Sequence, residues 1–174
     1  MHDVGLSAWF GGTLANAVAL NAAAAEAGDA NSTGAVANAG WDRWTPVNAA
    51  AIGAHLVGSV GQLIDNRDRL ASQHGVATMA MVKTGVTAAA LAATGYSRIL
   101  GRKVSQHHAV PAADATTPTA GTPAEVASAQ KQLAALQWVI PALTGALVVI
   151  SAFAGEQQRP HAVLGGLTRR LSLS

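Results

Sequence analysis

The chain has 174 residues, a formal net charge of +2 and no cysteine; half of it is hydrophobic and only 11% is Asp, Glu, Lys or Arg, against about 25% in an ordinary soluble domain. That is too little charge to coat a soluble surface. The missing cysteines exclude disulfides, zinc thiolates, iron–sulfur clusters and thiol nucleophiles. The small charge, with no basic stripe and no phosphate-binding glycine loop, points away from nucleic acid as a partner.

Aromatics make up only 4% of the chain, and the apolar content is mostly Ala and Val. A soluble core built from them would lack large side chains. Packed membrane helices favour Gly, Ala, Ser and Thr at their contacts, so a helical bundle in lipid accounts for both shortages. The rival is a soluble Ala-rich helical domain. Four separate charge-poor stretches argue against it, each near the roughly 20 residues needed to span the hydrocarbon layer.

The first stretch covers residues 4–25, "VGLSAWFGGTLANAVALNAAAA". It lacks the positive start of a secretory signal and reads as a retained helix. The second, 46–64, "PVNAAAIGAHLVGSVGQLI", has no Asp, Glu, Lys or Arg, yet His55 lies at its centre. Thr45 suits its cap and Pro46 its first turn, with Trp41 and Trp44 at the interface outside. The third covers 75–96 and contains Lys83. The polar "DNRDRLASQHG" before it is short enough to make helices two and three antiparallel neighbours.

Residues 104–122, rich in Pro, Ala and Thr, read as a flexible linker. A helix over 124–155 follows, and Pro141 should kink it. The tail 159–174 is broken by Pro160 and two glycines and would lie on the membrane surface. The expected architecture is therefore an all-α, four-transmembrane-helix antiparallel bundle in one membrane domain. Cationic residues tie between the two sides: Arg67, Arg69, Arg159, Arg169 and Arg170 against Arg43, Arg98, Arg102, Lys103 and Lys131. The short tail tips the expectation to both termini inside, because long loops count for less. "NST" at Asn31 and "RRLS" ending at Ser172 match modification motifs, but both are short enough to arise by chance.

Polar residues recur seven apart in every span, and that interval keeps them on one helix face. The first has His2, Trp9 and Asn16. The second has Asn48, His55 and Gln62, with Ser59 alongside. The third has Lys83 and Thr87 with Thr94, and the fourth Gln137, Thr144 and Ser151. Lipid offers no hydrogen bonds, so these faces should turn inward. The expected interior is His55, Lys83, Asn48, Asn16, Gln62, Gln137, Thr87 and Thr144. Small residues at spacing four (Ala80, Thr84, Ala88, Ala92; Ala54, Gly58) would let further helices approach from outside.

By helical rise, His55 lies about 15 Å from the end of its helix near Asp65, and Lys83 about 11 Å into the next from the same side. A His55–Lys83 polar centre is thus the sharpest candidate site. No Asp or Glu falls within a span, which weakens a proton- or cation-coupled relay. His2 is placed at the membrane edge and His55 at mid-depth, so they are not expected to share a haem. His107 and His108 read as solvated loop residues. Neither a metal nor a cofactor is expected, and no catalytic constellation is found.

"HDVGLSAWFGG", residues 2–12, resembles the first-helix pattern of copper-resistance D-type membrane proteins. That resemblance implies metal handling, which the absent cysteines and the three scattered methionines (Met1, Met79, Met81) do not support. "GWDRWTPVNAAAIGAHLVG", "NRDRLASQHGV" and "GYSRILGRK" resemble uncharacterised four-span integral membrane proteins of actinobacteria, which implies a multi-pass protein of the bacterial inner membrane. The expected role is a non-catalytic accessory or scaffold subunit. Its partners would be the lipid bilayer and either other membrane subunits or copies of itself. The alternative is a small transporter or channel with a polar path at His55 and Lys83.

Overall fold

A computed structural model describes residues 1–67, 74–106 and 113–156, and these are helical almost throughout. The first helical stretch comprises α1 (His2–Ala15), one π-helical turn (Asn16–Leu20) and α2 (Asn21–Ala25). Next come α3 (Ala30–Asp65), α4 (His74–Ser105) and α5 (Ala124–Glu156). At 1.5 Å per residue, the 36 residues of α3 extend about 54 Å. A hydrocarbon layer is about 30 Å thick. The helices Ala30–Asp65, Gly75–Ser105 and Ala124–Gly155 are long and apolar enough to cross a membrane.

Three expected helices keep their identity, and α5 matches the expected 124–155 to within one residue. The start of the second is corrected. α3 begins sixteen residues before Pro46, at Ala30. Asp29 caps it, its carboxylate accepting from the amides of Asn31 at 2.9 Å and Ser32 at 3.1 Å. Two free amides of the first turn are thereby satisfied. Gly28, at φ 92°, makes the reversal from α2. Thr45 is not a cap but an interior residue, its hydroxyl donating to the carbonyl of Trp41 at 2.9 Å. Pro46 sits mid-helix and brings no N–H for the carbonyl of Asp42.

α1 packs along α3, and both α1 and α4 pack along α5. Glycines set the first contact. A Cβ on Gly5 would overlap backbone atoms of Ala51 and His55, and one on Gly58 would overlap the backbone of His2. Gly12 leaves room for the Trp44 ring. Gly58, expected on an outer face, is therefore an inner contact.

Against expectation, α3 and α4 touch far less than the other neighbouring pairs, although consecutive in the chain. At mid-height Trp9, Ala51 and Ala90 are buried together, with Ile52, Leu91 and Leu143 against them, so all four helical stretches meet there. A second apolar cluster, Leu100 and Val104 against Val126 and Ala129, joins α4 to α5. Above and below the central contact, α3 and α4 separate and leave two cavities.

Residues 113–120, expected as flexible linker, fold around the Asp114 carboxylate. It accepts from the amide of Thr116 at 2.7 Å and from the hydroxyl of Thr117 at 2.7 Å. Val104, the first residue of the expected linker, is instead buried in α4. The expectations for His107, His108 and the tail 159–174 lie outside the described residues.

Candidate functional site

The expected interior divides into two polar regions. The lower is built from the start of α1, the middle of α3 and the first half of α4. His55 is 1% exposed, and its Nδ1–H donates to the carbonyl of His2 over a long 3.4 Å. Its ring meets that of His2 at 4.4 Å between centroids, tilted 45°, with the Trp9 ring at 6.2 Å. His2, itself buried, donates through Nδ1 to the carboxylate of Asp3 at 2.7 Å. The Nε2 atoms of both histidines are buried without a protein partner.

This corrects the expectation that His2 lies at a different depth. α1 starts level with His55 because Gly58 admits the backbone of His2. As they stand, the two rings are not placed to ligate a haem between them. Rings in contact at 4.4 Å leave no room for a macrocycle between them.

Lys83 goes elsewhere. Its ammonium donates to Oε1 of Gln62 at 3.5 Å, across the gap between α4 and α3. Gln62 is exposed rather than interior. Lys83, Gln62 and Thr87 line a cavity of about 540 Å³ between the lower halves of the two helices. His55 does not line it. The residues of the expected His55–Lys83 centre therefore have separate hydrogen-bond partners and share no cavity wall, although they are close enough for their charges to interact.

The upper region is a hydrogen-bonded chain across three helical stretches. The Trp41 indole donates to Oδ1 of Asn21 at 3.1 Å, and Nδ2 of Asn21 donates to Oε1 of Gln137 at 2.5 Å. Gln137 returns its own N–H to the carbonyl of Ala134 at 3.2 Å. Asn21 was not among the expected residues. The π-helical turn at Asn16–Leu20 rotates the helix by part of a turn and breaks the seven-residue interval there. The two asparagines five apart were the available signal.

Asn16 begins that turn, half-buried, its Nδ2 without a protein partner. Asn48 is buried, and Asn21, Trp41, Asn48 and Gln137 all line a second cavity, of about 350 Å³. Arg98 of α4 closes its side toward α3 with an ion pair to Asp42 at 2.9 Å. Thr144 is fully buried, but its hydroxyl donates back to the carbonyl of Ile140 at 2.9 Å and reaches no other helix.

Outside the apolar segments, three carboxyl groups titrate low, Asp3 chiefly through its hydrogen bond from His2. Asp29 is held below its ordinary value by the hydroxyl and amide of Ser32, then by the amide of Asn31. At Asp114 burial pulls the pKa upward, but hydrogen bonds from Thr116 and Thr117 together outweigh it and leave the group low.

Comparison with protein-family models, with curated proteins and with solved structures gives no match.

Proposed function

We propose that this is an integral membrane protein whose four helical stretches all cross the bilayer, and that it acts as a non-catalytic accessory or scaffold subunit, packing with itself or with a larger membrane complex. The observation that supports this is the outer face of α4. Met81, Gly85, Ala89, Ala92, Tyr96 and Ile99 recur at helical spacing opposite the buried Ala90, and all are exposed. Nothing stands within 4 Å of a Cβ placed on Gly85. Small residues between large ones let a second helix backbone come close, which is how helices associate where lipid removes the hydrophobic drive. Of the side chains described in α4, only Ala90, Leu100 and Val104 are buried, so the chain itself covers little of this helix.

Conduction along a path through His55 and Lys83 is the weaker reading, because His55 is sealed against His2 and Trp9 and borders neither cavity. The test is purification in mild detergent, followed by mass determination and identification of co-purifying subunits. Wild type is expected above monomer mass or with partners, and Gly85→Leu with Ala89→Leu is expected to run alone. A monodisperse wild-type monomer without partners would sink the scaffold reading. Liposome flux that disappears in both His55→Ala and Lys83→Ala would favour conduction instead.

A further inference from the structure

The lower cavity has apolar walls and one charge. Leu56, Val60 and Leu63 line it from α3, and Met79, Ala80 and Leu91 from α4. Its volume of about 540 Å³ falls within the roughly 300–1,000 Å³ of sites that hold small molecules. Among the described residues, Lys83 is the sole cation on its wall and no carboxylate lines it.

The bond from Lys83 to Gln62 is neutral on one side and long, at 3.5 Å. Asp3 lies near enough for its charge to attract that of Lys83, but it is hydrogen-bonded to His2 and does not line the cavity. An ammonium ion in an apolar cleft is costly unless an anion or water compensates it. Gln62 stands three residues before the end of α3 at Asp65, about 4.5 Å along the axis. The Lys83 side chain therefore reaches toward the end of the charge-free run 46–64, as a snorkelling lysine does.

We propose that the cleft between α3 and α4 binds an anionic phospholipid. Its phosphate pairs with the Lys83 ammonium and accepts from the Gln62 amide. One acyl chain lies between the helices toward Leu91. The complementarity is of two kinds at matched depths, a lone positive charge at the interface and an apolar slot beneath it. Basic pockets between membrane helices hold acidic lipids by this combination. The site is separate from the outer face of α4 and does not depend on the scaffold reading.

The experiment is native mass spectrometry of the whole protein in mild detergent, titrated with equal concentrations of phosphatidylglycerol and phosphatidylcholine. Wild type is expected to retain phosphatidylglycerol about fivefold better, the value of one lysine near an acidic head group. Lys83→Gln should bring the two lipids to parity, and Lys83→Arg should keep the preference. Inorganic phosphate, which has no chain for the slot, should not displace the lipid.

Equal retention by wild type, or a preference that survives Lys83→Gln, overturns the proposal. Displacement by inorganic phosphate points to a free anion site and overturns it too. So does a lipid-free dimer whose second copy shields the cleft. Ala80→Trp fills the slot while leaving Lys83 in place, and serves if Lys83→Gln does not fold. It should expel bound phosphatidylglycerol, and retention there would count against the slot.

Discussion

The imidazole of His55 rests on that of His2, with centroids 4.4 Å apart, and points its Nδ1 at the His2 carbonyl. This contact fixes the start of α1 against the middle of α3. His55 works there mainly by filling space, since its Nε2 has no partner. His55→Ala is expected to cost about 2–4 kcal/mol through the cavity it leaves. His55→Leu, of similar volume, should cost less than half as much. Thermal unfolding in detergent compares the two; equal losses would show that the polar atoms of the ring matter more than its bulk.

The α1–α3 contact rests on missing side chains. Gly58→Val drives a branched side chain into the backbone of His2, which cannot swing aside, so a loss of about 1–3 kcal/mol or more is expected. Gly53, also in α3, has open space at its Cβ position. Gly53→Ala should leave the melting temperature unchanged or raise it slightly, because alanine is the better helix former. Melting curves that fall equally for both would remove the steric explanation.

The bonds from Trp41 to Asn21 and from Asn21 to Gln137 form one unit. Asn21→Leu and Gln137→Leu are each expected to destabilise by about 1–2 kcal/mol, since each strands a polar partner away from water. The double variant should lose clearly less than the sum, because no stranded amide remains between the two positions. A double-mutant cycle in detergent decides; strict additivity would mean that the two side chains do not interact.

Asp114 gives a pH dependence with a definite sign. Its folded-state pKa lies below the ordinary 3.8, so the stability it contributes is fully present above that value and is lost as pH falls through the folded value. The protection of amides in residues 113–122, as exchange relative to the intrinsic rate at each pH, should therefore hold at neutral pH and fall below about pH 4. Asp114→Asn removes the carboxylate and should flatten this pH response. An unchanged profile in that variant would assign the loosening to another group.

Much of this was legible before any coordinates. Runs without charge marked the helices, and Asn48 and His55, two residues of the seven-residue interval, are buried. The early start of α3 was hidden by Asn31, Ser32, Gly34 and Pro46, each of which reads as a helix boundary by local preference. The inward face nevertheless continues through Thr33, Ala37, Gly40 and Trp44, and packing against the first helical stretch carries the helix across the proline. The meeting of His2 with His55 was illegible for another reason. The register between two helices is not written in either alone, and here it follows from where Gly5 and Gly58 let backbones touch. Lys83 and His55 lie at similar depths but do not meet, because equal depth says nothing about which face of its helix each residue occupies.

Pro46 has one more effect. The Asp42 carbonyl is left without a partner along α3, while the Asp42 carboxylate is tied sideways to Arg98. α3 nevertheless runs unbroken from Ala30 to Asp65, one backbone hydrogen bond short at the proline. Trp41 and Trp44 precede the proline in α3 and His55 follows it. The Arg98 pair thus ties α4 to the part of α3 that carries Trp41 and Trp44, beside the cavity they line, while the histidine pair lies on the far side of the proline.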